Sequence, residues 1–78
     1  MDAEKDILEV WKERILTESK RGDRMKACKN IDVSYTTHQN AMKKATLIDL
    51  TDAEMDVLAE NIKILDERKE KQLQYATN

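Results

Sequence analysis

Across 78 residues there is no proline and a single glycine, Gly22. Proline and glycine are the residues that most reliably stop helices and shape tight reversals, and a sheet protein needs several such stops. A chain with so few breakers has room for few reversals, so the long stretches between them must be helical. The expected class is all-α. Size sets the scale: one domain, residues 1–78, near the lower limit at which an apolar core holds without disulfides or metal. Only three aromatics are present (Trp11, Tyr35 and Tyr75) and there is no phenylalanine. Little bulk is therefore available to one core, which favours a homodimer that pools apolar surface.

Apolar spacing and capping residues divide the chain into four helices. The first is expected over residues 3–20, with Leu8, Trp11 and Ile15 on one face and Ile7, Val10 and Leu16 widening it. Asp2, Glu4 and Asp6 lie in its first turns and Lys20 and Arg21 at its close, the order the helix dipole favours. Gly22 is able to turn left-handed past the helix end. Asp23 can cap a second helix over residues 24–30, with Cys28 and Ile31 inward and Ala27 or Met25 beside them. Ile31, Asp32 and Val33 form a turn, after which Ser34 caps a third helix over residues 35–44. His38, Ala41, Met42 and Ala45 lie on its inner side.

The final helix has the clearest start. Thr51 and Glu54 form a capping box, and Leu50 and Met55 a hydrophobic staple. This helix begins at Asp52, runs to about residue 75, and carries two stripes. Met55, Leu58, Ile62 and Leu65 make one. Val57 and Ile64, flanked by Asn61 and Arg68, make another roughly 130° away at about 100° per residue. The first stripe is expected to face the core. Val57, Asn61, Ile64 and Arg68 are assigned to a dimer interface, where an asparagine can fix register. Packing on the first helix is the other use open to that stripe.

Charge is distributed unevenly. The formal net charge is −2, yet residues 20–44 hold seven bases against two acids. Residues 1–19 hold three bases and six acids, and residues 45–78 four and eight. A basic middle between acidic flanks points to an anionic partner better than the overall balance does. Other classes lose support. Cys28 stands alone, so it forms no intramolecular disulfide or cysteine zinc site and is expected to be a packing residue. The acidic start lacks the apolar core of a secretory signal, and no apolar run approaches the roughly 20 residues of a membrane span. A soluble, cytoplasmic protein is expected. No nucleophile–base pair, phosphate-cradling glycine loop or metal-ligand cluster is visible, so no catalysis, cofactor, metal or small-molecule substrate is expected.

Within residues 24–44 the pattern resembles the helix-turn-helix of small DNA-binding regulators. Cys28 stands where these motifs place a small residue, and Ile31-Asp32-Val33-Ser34 is similar to their apolar–Gly–Val–Ser turn. Ala41 falls where the second helix must approach the first closely. Asp32 in place of glycine and His38 in place of a large apolar residue depart from the pattern. The resemblance implies a helix-turn-helix over about residues 23–44 and a packing or dimerisation helix over about 51–75. It implies sequence-specific binding of double-stranded DNA by a regulator or accessory protein. Thr36, Gln39, Asn40 and Lys43 would then reach base edges, and Lys20, Arg21, Arg24, Lys26, Ser34, Tyr35 and Lys44 would hold the DNA backbone. The alternative is a non-catalytic helical adaptor that binds a protein partner through the same fold.

Overall fold

A side chain or a left-handed residue completes most of the helix ends. The computed structural model describes residues 6–76, and among them the protein is all-α. The order is α1 (Ile7–Glu18), α2 (Asp23–Ile31), α3 (Tyr35–Met42), a short 3-10 turn (Leu47–Asp49) and α4 (Asp52–Ala76).

The expected start of the first helix at residue 3, with Asp2 and Glu4 in its first turn, lies outside the described residues. From Asp6 onward the geometry is clear. The Asp6 carboxylate accepts from the Leu8 backbone N–H at 2.9 Å, an N-cap, and from Leu47 N–H at 3.2 Å. One side chain thus caps α1 and ties it to the 3-10 turn. At its other end α1 stops at Glu18 rather than Lys20, because Ser19 turns extended. Gly22 does adopt positive φ (+90°), but as the residue that leads into α2 and not as the stop of α1. A Cβ there would meet nothing within 4 Å, so the glycine answers to backbone conformation and not to space.

Asp23 does not cap α2 as expected. It is the helix's first residue, and its carboxylate accepts instead from Lys20 N–H and from Arg68 on α4, each at 2.6 Å. The far end of α2 follows the turn expectation closely. Asp32 sits at φ 59°, ψ 53°, the left-handed region that Asp tolerates better than most side chains. Val33 N–H donates to Cys28 O at 2.9 Å and Asp32 N–H to Lys29 O at 3.3 Å. This pair of bonds is the Schellman motif, which satisfies the last carbonyls of α2 and reverses the chain. Ser34 then caps α3, accepting from Thr37 N–H at 3.3 Å.

α3 ends at Met42, two residues before the expected close, and Ala45 is exposed in the connection instead of facing inward. The Lys44 carbonyl accepts from the Lys12 ammonium at 2.7 Å, which holds the chain out of the helical path. The capping box of α4 forms as expected: Glu54 N–H donates to Thr51 Oγ1 at 3.2 Å and Thr51 N–H to Glu54 Oε1 at 2.9 Å. Leu50 is buried and Met55 packs against the core, in keeping with the staple.

α4 packs on each of the other three helices, and α2 packs on α3. The core contains Leu8 and Ile15 from α1, Ala27 and Cys28 from α2, Ala41 from α3, and Val57, Leu58, Ile62, Ile64 and Leu65 from α4. Both stripes of α4 are therefore inside the chain. Val57 and Asn61 have no exposure, Ile64 is 7 % exposed, and Arg68 is bound to Asp23. This corrects the dimer-interface assignment: the seam formed by Val57, Asn61, Ile64 and Arg68 meets α2 and α3 and is not open to a second copy. On α1 only Leu8 and Ile15 are fully buried, with Trp11 partly so, while Ile7 and Leu16 point outward.

The left-handed turn residue can be tested directly. Asp32→Val is expected to lose about 1–3 kcal/mol, the cost of a β-branched residue in that region, whereas Asp32→Gly is neutral or stabilising. Urea denaturation midpoints of the two variants measure the difference.

Candidate nucleic-acid interface

α3 is a helix of eight residues with sharply different sides. His38 and Ala41 have no exposure and face α4 and α2, where the alanine's small side chain permits close approach. Thr36, Gln39, Asn40 and Lys43 are all exposed, and at about 100° per residue they fall within an arc of roughly 100°. Among the described residues no hydrogen bond or ion pair engages these four side chains. The four positions expected to read bases are thus brought onto one open face.

The expected backbone contacts divide into three groups. Lys20, Arg21 and Lys26 are exposed and Arg24 half-buried, and they gather with Tyr35 around the start of α3. Ser34 is exposed but its hydroxyl is engaged as the helix cap and lies 3.2 Å from Thr37 Oγ1. Tyr35 is 37 % exposed and its ring stacks on His38, with centroids 6.2 Å apart and planes 10° from parallel. Lys44 does not fit the assigned role. Its ammonium donates to Glu54 at 3.0 Å and to the Asp49 carbonyl at 3.1 Å, so it stitches the α3–α4 connection to α4.

Two polar joints set how α3 and α2 sit on α4. His38 Nε2 lies 2.8 Å from Asn61 Oδ1, and Asn61 Nδ2 donates to Ser19 Oγ at 3.3 Å. With the amide oxygen facing the ring, Nε2 is the donor, and Nδ1 is buried with no hydrogen-bond partner among the described residues. Burial is the main cause that pushes His38 below its ordinary pKa, and the nearby Arg24 charge adds to it. The Asp23–Arg68 pair is the other joint. Arg68 first, and the Lys20 N–H after it, hold the Asp23 carboxyl below its usual range. The pairing of His38 with Asn61 was not read from the sequence. Its trace there was two polar residues, His38 at an inward position of a helix and Asn61, assigned to a dimer seam, beside an apolar stripe.

A third feature also went unread: Leu16 and Met25 are 65 % and 59 % exposed beside the basic cluster. The Cys28 thiol is buried, which pushes its pKa up, in keeping with a packing role. Among the described residues no group of His, Cys, Asp or Glu is arranged to hold a metal ion, and no helix is long and apolar enough to cross a membrane.

The buried imidazole predicts a pH dependence of stability. The unfolded state takes a proton near pH 6.5, which the folded state resists, so stability is fully present above that value and declines as pH falls below it. Asp23 and Glu54, both lowered, add losses only as pH falls through and below their ordinary values of 3.8 and 4.5. Urea midpoints measured from about pH 7.5 down to about pH 5 should fall for the wild type and flatten for His38→Leu. Separately, Asn61→Ala strands the His38 donor and is expected to cost about 1–3 kcal/mol in the same assay.

Comparison with protein-family models, with curated proteins and with solved structures finds no match to this chain.

Proposed function

We propose that this chain binds duplex DNA, with α3 lying in the major groove as the reading helix of a helix-turn-helix. One observation carries the reading: α3 buries His38 and Ala41 completely while Thr36, Gln39, Asn40 and Lys43 share its outer face unpaired, next to a cluster of bases. Gln39 and Asn40 have the paired donor and acceptor that match adenine N6 and N7. Lys43 suits guanine O6 or N7, and Thr36 a base edge or a thymine methyl. Lys20, Arg21, Arg24 and Lys26 would fix register on the phosphates without reading sequence. Lys44 is left out of this set because Glu54 and Asp49 occupy it. The left-handed Asp32 adds support, since a turn of that conformation lets a short second helix stand away from the first.

The regulator or accessory role follows from the binding mode, because no chemistry beyond recognition is needed from the residues concerned. The adaptor reading keeps one specific support, the apolar Leu16 and Met25 exposed beside the bases.

Selection from a random duplex library, followed by titration of the enriched duplex, tests the proposal. Replacing Gln39, Asn40 and Lys43 together with alanine should weaken the enriched site by at least about tenfold, given about 1–3 kcal/mol per good base contact. Lys26→Ala should weaken all duplexes alike and reduce the salt slope by about one. No enrichment, or equal affinity of the triple variant at every salt concentration, would remove α3 as a reading helix.

A further inference from the structure

Where α1, α2 and the start of α3 meet, a surface groove lies to one side of the Thr36–Gln39–Asn40–Lys43 face. It has two adjoining parts of about 550 and about 290 Å³, which share Gly22, Met25 and Tyr35. Leu16, Met25 and Tyr35 supply exposed apolar surface along it, and Val33 lines the larger part. Lys20, Arg21 and Arg24 border one part and Lys26 and Lys29 the other. Among the described residues Asp32 is the one acid in the lining.

A lone exposed leucine or methionine carries no message, since much of any folded surface is apolar. Here three apolar side chains gather in a concavity and five bases surround them. A phosphodiester backbone would satisfy the bases but would bring only charge and sugar against Leu16 and Met25. A second copy docked on the same patch by two-fold symmetry would set one basic rim against another. A bilayer is flat, whereas this site is concave. The ligand that matches both features has apolar knobs on one side and carboxylates along their edges.

We propose that this groove is a docking site for an acidic amphipathic helix of a partner protein. Its apolar side chains seat against Leu16, Met25 and Tyr35, and its Asp and Glu side chains pair with Lys20, Arg21, Arg24, Lys26 and Lys29. This is the helix-in-groove mode of recognition with a charged rim that sets partner choice. A regulatory consequence rests on the DNA reading above: four of the five rim bases are the ones assigned to DNA phosphates, so the acidic helix and the duplex exclude one another. The docking itself does not depend on that reading.

The probe is a fluorescein-labelled peptide of about 18 residues, long enough to form helix on binding, with leucine at i, i+3, i+4 and i+7 and glutamate around them. A scrambled peptide of the same composition is the control, and anisotropy is read on the full chain. The patterned peptide should bind at least about tenfold tighter than the scrambled one. Leu16→Ser/Met25→Ser should erase that preference while helical circular dichroism and affinity for a selected duplex stay unchanged. Lys29→Gln, which alters the rim outside the assigned DNA contacts, should weaken the patterned peptide several-fold and decides the matter if the double variant does not fold. Equal binding of patterned and scrambled peptides overturns the proposal. So does a double variant that keeps the preference, or one that loses duplex affinity as steeply as peptide affinity. Binding to phosphatidylserine vesicles without any preference for the patterned peptide would reassign the groove to a lipid surface. Competition by duplex DNA is read separately, so failure of the DNA reading leaves the peptide result standing.

Discussion

The other three helices depend on α4 being buried on two sides at once. Glu54, Val57, Leu58, Asn61, Ile62, Ile64 and Leu65 are all buried, covering an arc of roughly 160° at about 100° per residue. α1 meets one edge of that arc, where Arg14 bonds Asp66 at 2.7 Å. α2 and α3 meet the other, where Arg68 reaches Asp23 and Asn61 reaches His38. At 25 residues α4 is about 37 Å long. A chain this small cannot bury much apolar surface in short helices alone. Wrapping three of them around one long helix is how it assembles a core from mostly aliphatic side chains.

That arrangement makes the orientation of α3 a tertiary property. Its buried side is small or polar, with Ala41 permitting close approach and His38 bonded to Asn61. A hydrogen bond between two fully buried groups has a narrow geometry, and leaving either partner unpaired costs about 1–3 kcal/mol. Asn61 is held in turn through Ser19, at the end of α1. The rotation of α3 about its own axis, and with it the direction of Gln39 and Asn40, is thus set by residues on two other elements. Departing from an apolar residue at His38 replaces a tolerant contact with a specific one.

Charge is partitioned in the same way. The acidic residues of α4 that touch other elements do so through specific pairs: Glu54 with Lys44, Asp66 with Arg14, and Glu60 with Asn30. Asp23 is matched by Arg68, so the main acid within the basic segment is neutralised internally. Within the basic segment the bases left exposed are Lys20, Arg21 and Lys26 around the start of α3, Lys29 on α2 and Lys43 at the end of α3, while α4 exposes Lys63, Lys69 and Lys71 among its acids. The bases around the start of α3 border the groove lined by Leu16, Met25 and Tyr35, so an anion meets clustered positive charge there.

Much of this was legible because its causes are local. Scarce glycine and proline dictated helices. The reciprocal bonds of Thr51 and Glu54, the cap at Ser34 and the left-handed Asp32 all act within a few residues of sequence, where side-chain chemistry alone decides the outcome. The outward positions of α3 followed from periodicity once its start was fixed. What failed was decided by neighbours distant in the chain. Asp23 turned from a cap into the partner of a residue 45 positions away, and Lys44 went to Glu54. The second stripe of α4 could be told apart from the first by angle, but its assignment to a second copy failed because it is buried within the chain. Periodicity reports that a face is apolar, whereas only the packed arrangement shows that α2 and α3 already cover it.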